Sequence, residues 1–397
     1  MDIVLNQAQT LLLAMGVFFL GTFLHSVVYA FRKFNIPEPV IGGLVFALVL
    51  TVLYQFFDIN LTLDNEIRDD LMLTFFATVG MNAKFSLFKK GGSKLMIFFF
   101  VCVLYLFIQN LIGVSLSALL GVDLHLGMLA SSITLSGGHG TGASYATKFT
   151  HIDGALEVAM ACATMGLVLG GIIGGPVSEW LISKHKLAPE DKVNNPDGAL
   201  KEHGFNEPEL VTTSSVLQVL LSSFASIFLG TALTKYLAGM GIDIPSFISV
   251  LFIGIIITNL FGMSKKLEFQ QQSLDLVNMI SLSLFLSIAM MSLKLWQLLD
   301  MAIPLFIIIG VQTVSIIFYT IHVTFRLLGK DYQAATIVSG HCGFGLGATP
   351  TALANIESVT NRYGPSPYGM FIVLIVGAFF IDIANAAVIQ IFLSFIG

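Results

Sequence analysis

Apolar residues run along this chain in blocks of the length a lipid bilayer demands, separated by short polar breaks. A helix that crosses the hydrocarbon layer needs about 20 apolar residues. Twelve stretches meet or approach that length, near 10–31, 39–57, 71–88, 95–120, 126–147, 157–182, 213–234, 245–262, 274–293, 303–325, 334–354 and 369–394. The first follows Asp2 with no basic segment before it and no small-x-small cleavage site after it, so it predicts a spanning helix and not a signal peptide. Two of the twelve break the pattern. The fifth contains Ser136-Gly-Gly-His-Gly-Thr-Gly142, and the eleventh contains Gly340-His-Cys-Gly-Phe-Gly-Leu-Gly-Ala-Thr-Pro-Thr351. A glycine costs a helix about 1 kcal/mol relative to alanine and a proline about 3, so neither stretch is expected to hold a continuous helix.

The basic residues decide how these two stretches run. With both entering and leaving on one face, ten crossings remain. One side then holds Arg32, Lys33, Lys84, Lys89, Lys90, Lys94, Lys184, Lys186, Lys192, Lys201, Lys265, Lys266, Arg326, Lys330 and Arg362, and the other holds Arg68, Lys148, Lys235 and Lys294. That is 15 against 4, a strong positive-inside bias. With both stretches crossing fully the division is 10 against 9, so the re-entrant arrangement is the expected one. It places both termini outside and the long central loop in the cytoplasm.

Composition narrows the class. Hydrophobic residues make up 55% of the 397 and charged ones 11%, against about 25% charged in a soluble protein. Soluble enzymes and nucleic-acid binders are excluded, and a polytopic membrane protein is expected. Cys102, Cys162 and Cys342 all fall in apolar or glycine-rich stretches, so neither a disulfide framework nor zinc spacing is legible.

The halves of the chain echo each other. Gly138-His-Gly-Thr-Gly-Ala143 matches Gly343-Phe-Gly-Leu-Gly-Ala348 at an offset of 205, and Phe75, Met81 and Lys84 match Phe285, Met291 and Lys294 at an offset of 210. Gln109 sits in the fourth span as Gln312 does in the tenth, and Pro37 and Pro245 precede the second and eighth alike. An odd number of crossings per half turns the second half upside down. Inverted repeats with interrupted helices in corresponding places are the mark of a secondary transporter with its site at the repeat interface. The expected organisation is an all-α membrane protein: an N-terminal repeat over 1–183, a cytoplasmic linker over 184–211 and a C-terminal repeat over 212–397. Each repeat has five transmembrane helices and one glycine-rich re-entrant hairpin, near 126–147 and 334–354.

In lipid, irregular backbone survives at membrane depth only when buried in protein or lining a cavity. Without side chains, Gly137, Gly138, Gly140 and Gly142 of the first loop and Gly343, Gly345 and Gly347 of the second let backbone donors and carbonyls approach a small solute. Ser136, Thr141, Thr349 and Thr351 add hydroxyls. Half-helix N-termini suit a carboxylate, while unwound carbonyls suit a hard cation. The competing explanation, that the glycines only allow close helix packing, fits two matched G-x-G-x-G-A runs poorly. His139 reads either as a hydrogen-bonded structural group or as part of the substrate site. His341-Cys342 and the absence of H-E-x-x-H or G-x-S-x-G give no support to enzyme chemistry. Asp382 lies mid-span with Asn385 on the same helix face, a carboxylate and an amide oxygen that suit sodium or a substrate ammonium group. A hydrogen-bonded helix contact is the plainer alternative. Asn82, Gln109, Asn110 and Gln312 read as interhelical hydrogen-bonding groups, and Glu157 as interfacial or buried.

Ile36-Pro-Glu-Pro-Val40, Thr134-Leu-Ser-Gly-Gly-His-Gly-Thr-Gly-Ala143, Glu157-Val-Ala-Met-Ala-Cys-Ala-Thr164, Gly340-His-Cys-Gly-Phe-Gly-Leu-Gly-Ala-Thr-Pro-Thr-Ala352 and Gly377-Ala-Phe-Phe-Ile-Asp382 resemble the bacterial sodium/glutamate symporters. The resemblance runs from the first span to the last and is weakest in the central loop. It implies inward transport of L-glutamate with co-transported sodium as the only cofactor. It also implies a homodimer in the bacterial inner membrane and two inverted five-helix repeats. The related citrate/sodium carriers suggest an elevator motion. Composition and topology by themselves leave open a carrier for another di- or tricarboxylate or acidic amino acid. An ion channel fits two unequal, oppositely entering loops less well.

Overall fold

The computed structural model describes residues 2–34, 36–57, 60–83, 92–189, 210–240, 244–261, 269–294 and 301–396. Helices follow the apolar blocks closely. Helix α1 spans Gln7–Val27, α2 Glu38–Phe57, α3 Asn65–Asn82 and α4 Gly92–Leu120. After a short α5 (Leu124–Met128) and a distorted turn, α6 spans Gly138–Ala146 and α7 Ala155–His185. The second half gives α8 (Thr213–Gly239), α9 (Ser246–Phe261), α10 (Gln271–Met291) and α11 (Ala302–Tyr319), the last running on to Leu327. Then come α12 (Tyr332–Leu346), α13 (Thr349–Tyr363), α14 (Pro367–Ile375) and α15 (Ile381–Ile396). A two-stranded parallel pairing joins β1 (Asp2–Val4) to β2 (Asn60–Thr62).

Polar residues between the blocks set the helix starts. Asn6 and Gln9 form a reciprocal capping box for α1, and Thr212 and Ser215 one for α8. Asp64 accepts from the Ile67 amide at the start of α3, and Asp331 from the Ala334 amide at the start of α12. Each such cap is worth about 1 kcal/mol. Helix α7 carries Pro176 in its interior, which neighbouring helices make tolerable inside a membrane protein.

Among the described residues, seven helices are long and apolar enough to cross a membrane, and the bent pair α14–α15 makes an eighth. This is a multi-pass membrane protein. The ten expected crossings exceed that number by α3 and α9. Helix α3 opens on Glu66, Arg68, Asp69 and Asp70, and α9 has 16 described residues. The chain that follows each of them, 84–91 and 262–268, lies outside the described residues. So do most of the central loop (190–209) and Lys84, Lys89, Lys90, Lys192, Lys201, Lys265 and Lys266, on which the orientation argument drew.

Two helix groups emerge from the packing. Helices α1, α2 and α3 pack with α8, α9 and α10, through α1 on α2, α8 on α9, α3 on both α9 and α10, and α2 on α10. The other group holds α4 to α7 and α11 to α15, with α4 on α11 and α7 on both α12 and α13. Between the groups, Gly140 of α6 faces the Phe75 ring and Leu282, Tyr145 meets Phe247 edge-on at 5.2 Å, and the Glu157 carboxylate accepts from the Lys294 amide at 2.5 Å.

Candidate functional site

Neither glycine-rich stretch forms a continuous helix. In the first, the ten residues Leu124–Ile133 are apolar and helical only in part, because Ala130 (φ −81, ψ 17) and Ser131 (φ −125, ψ −137) leave the helical region. The chain turns at Ser136-Gly137 and restarts at Gly138, whose φ of +69 favours glycine. In the second, α12 ends at Gly347 (φ −142, ψ −99) and α13 begins at Thr349-Pro350. At 1.5 Å per residue, a 15-residue arm of the second pair measures about 22 Å, short of the roughly 30 Å hydrocarbon layer. The sequence bounds of the second stretch, 334–354, cover all but the first two residues of α12 and the first turns of α13; the arm itself continues to Tyr363, through the polar residues 355–363 at which the apolar pattern stopped.

The two breaks meet. Ser136 Oγ donates to Gln109 Oε1 at 2.7 Å, Gln109 Nε2 donates to the Gly345 carbonyl at 2.9 Å, and Ser136 Oγ itself lies 3.4 Å from that carbonyl. A Cβ on Gly138 would stand 3.7 Å from the Gly347 carbonyl. Gln312 reaches in from α11, donating to the Gln109 carbonyl at 2.7 Å and to Ser131 Oγ at 3.0 Å. All of these side chains are buried. Gln109 and Gln312, expected to hold helices together, do so at the point where the two interrupted elements touch.

A second polar cluster surrounds Ser132. Its amide donates to Asn110 Oδ1 at 3.2 Å, and its carbonyl accepts from Asn385 Nδ2 at 2.7 Å. Asn110 Nδ2, Ser132 Oγ and Asn385 Oδ1 are buried with no hydrogen-bond partner among the described residues. Polar atoms buried without partners cost about 1–3 kcal/mol each, and here they collect where the helix is unwound. The expected pairing of Asp382 with Asn385 divides: Asn385 joins this cluster, while Asp382 sits one turn earlier on α15, half-buried and with no partner among the described residues. Just before it, the helix bends by 44° at Val376–Phe380, and Thr349 Oγ1 donates to the Gly377 carbonyl there at 2.8 Å.

The remaining sequence candidates fall into two kinds. His139 is buried with Nε2 3.0 Å from Thr164 Oγ1. Gly142 faces Thr134, Gly343 faces the Ala352 backbone, and Gly345 faces Ile316. Thr141 is buried on α6, and Thr351 is fully buried at the first turn of α13, its hydroxyl unpartnered among the described residues. His341 stacks on Phe344 at 5.3 Å and shares a hydrogen bond with Thr324, and Cys342 is fully buried beside it, so the pair forms part of the packing. Gly166, Gly170 and Gly174 of α7 play a part that sequence reading missed. A Cβ at these positions would stand 2.0 Å from the Leu346 carbonyl, 3.0 Å from the Gly343 carbonyl and 2.1 Å from Asn355 Nδ2. Their spacing of four was the signal.

The family model described as sodium/glutamate symporter matches residues 3–365. The chain belongs to the sodium/glutamate symporter family. Curated members similar to it are the sodium/glutamate symporters of Escherichia coli (strain K12) and Shigella flexneri, each 43% identical over 395 residues. Another is that of Haemophilus influenzae, 40% identical over 397 residues. In each case 98% of both chains is covered. Symporters are carriers and not enzymes, in keeping with the buried, packed state of His341 and Cys342. Asp382 and Asn385 lie beyond the stretch matched by the family model but within the reach of these relatives.

Proposed function

We propose that this protein carries L-glutamate into the cell on the sodium gradient. The observation that carries the reading is the contact of two interrupted helices at Ser136, Gln109 and Gly345, with unpartnered polar atoms gathered beside it. The relatives bear names that state the same solute and ion. The starts of α6 and α13 offer backbone donors and partial positive charge to the carboxylates. Thr141, Thr349 and Thr351 add hydroxyls, and Gly137, Gly138, Gly140 and Gly142 with Gly343, Gly345 and Gly347 bring the backbone close. Sodium takes oxygens from the unwound Ser131–Ser132 segment, Asn385 and the nearby Asp382.

The helix pairs α5–α6 and α12–α13 dip into the bilayer from opposite faces as re-entrant hairpins. Paired packing supports two inverted repeats over 1–183 and 212–397: α1 on α2 mirrors α8 on α9, and α3 on α9 and α10 joins the halves reciprocally. The group holding both hairpins moves as an elevator against the other group, which forms the surface of a homodimer. The protein resides in the bacterial inner membrane, with both termini periplasmic and the linker cytoplasmic.

Reconstitution in liposomes tests the reading. An inward sodium gradient is expected to drive accumulation of labelled L-glutamate, and Asp382→Asn to abolish it while insertion stays normal. Accumulation undiminished when choline replaces sodium rejects the coupling. Full displacement of label by a tricarboxylate shifts the substrate to that class.

A further inference from the structure

At the roots of the first broken pair, two loops bring three metal-ligating side chains together. Asp123 precedes α5 and caps it, with Oδ1 accepting from the His125 amide at 2.8 Å; the same oxygen lies 2.9 Å from His125 Nδ1. His151, in the connection from α6 to α7, places Nε2 3.7 Å from the other oxygen, Oδ2. The two imidazoles stand 4.8 Å apart at 76°, and the His125 ring is fixed against Phe149 at 4.8 Å. One donor atom from each of the three residues lies within 4.8 Å of the others. A tetrahedral zinc ion with bonds of 2.0–2.2 Å spaces its ligand atoms about 3.3 Å apart, so a rotation of the half-exposed His151 side chain closes the set. Oδ1 stays on the helix cap beside His125 Nδ1, while Oδ2 faces His151 Nε2.

We infer that Asp123, His125 and His151 form a three-ligand site for a divalent transition-metal ion of the zinc class, with water in the fourth position. Two imidazoles and one carboxylate select such an ion over calcium or magnesium, which take oxygen ligands. The bound ion ties the entrance of α5 to the start of α7, across both ends of the first broken pair. That clamp slows any transport cycle in which the pair moves, a consequence that rests on the carrier function proposed above; binding itself does not.

The test uses the full-length, tag-free protein, stripped with chelator and titrated with zinc chloride by calorimetry and by thermal unfolding. Saturable binding of one zinc per chain is expected, with a rise in Tm, and calcium and magnesium should give neither. His125→Ala and His151→Ala should each weaken zinc binding at least about tenfold. Asp123→Asn keeps a competent helix cap and should weaken binding as well. His322→Ala, an exposed histidine elsewhere, should bind like wild type. Absence of saturable binding, or binding that survives His151→Ala unchanged, overturns the site; His151 lies in an exposed loop, so this variant is expected to fold. In liposomes, external zinc should slow sodium-driven glutamate uptake by wild type but not by His151→Ala. Zinc binding with undiminished uptake overturns the clamp. Zinc binding in a protein that carries no glutamate under any condition leaves the metal site standing and removes the carrier reading.

Discussion

The two broken helix pairs solve the same problem by different means. The first is held by side chains: Gln312 on Ser131, Asn110 and Asn385 on Ser132, Thr134 Oγ1 on the Leu129 carbonyl, and Gln109 on Ser136. The second adds close backbone contact to side-chain bonds such as Asn355 Nδ2 on the Gly170 carbonyl and Ser178 Oγ on the Ala335 carbonyl. Its two arms are regular, Gly343 lies against the Ala352 main chain, and α7 presses Gly166, Gly170 and Gly174 into it. Polar tethers leave spare donors and acceptors near the break, whereas close backbone contact leaves little space between neighbours. The first pair is thus the adaptable partner, rich in unpaired ligand atoms, and the second is the frame it works against.

The largest effect that breaks this comparison is steric. Gly166→Ala places a Cβ 2.0 Å from the Leu346 carbonyl, and the overpacking should cost about 3 kcal/mol or more. A large fall in Tm of the solubilised protein and loss of transport are expected; a Tm equal to wild type would mean that α7 does not clamp the second pair. Next, Gln109→Ala strips the junction of the group that links Ser136 to Gly345. Stranding these buried atoms should cost about 1–3 kcal/mol, read as a lower kcat and a lower Tm. An unchanged kcat would mean that the two breaks work independently. Asn385→Ala should act more narrowly. It frees the Ser132 carbonyl and should raise the sodium concentration for half-maximal uptake about tenfold, equivalent to about 1.4 kcal/mol, at a nearly constant glutamate KM. Equal changes in both constants would assign Asn385 to the frame.

The smallest expected effect concerns Asp123. Burial pushes its carboxyl pKa up, but hydrogen bonds from the His125 amide and ring, with the nearby imidazoles, outweigh that and hold it below its ordinary value. A lowered carboxyl contributes stability above the unfolded-state pKa of about 3.9. The contribution is lost as pH falls through the lowered folded-state value. The Tm gap between wild type and Asp123→Ala should therefore shrink in acid below that range. A gap that closes near pH 6 would contradict the assignment.

The apolar blocks made most helices legible, because a hydrocarbon solvent leaves few ways to arrange twenty apolar residues. The glycine runs gave away both breaks for the same reason. What stayed hidden was lateral: which polar side chain crosses to which helix. Gln109 and Gln312 looked like ordinary interhelical groups, and only packing shows that they converge on Ser131, Ser136 and Gly345. Asp382 and Asn385 share a helix face in sequence, yet the neighbouring elements give them different surroundings. Helix α3 was hard to judge because its charged first turn and its apolar remainder belong to one element. Cys342, an inviting thiol in sequence, is fully enclosed; a maleimide that reaches it would report separation of α12 from its neighbours.

The seam between the two helix groups has a mechanical meaning. Phe75, Leu282, Phe247 and Tyr145 meet there chiefly through dispersion, which carries no directional preference and is recovered in almost any new register. In the elevator motion proposed above, greasy rings of this kind would act as a bearing. The carboxylate of Glu157 on the Lys294 amide would be the opposite sort of part, a detent whose release precedes sliding.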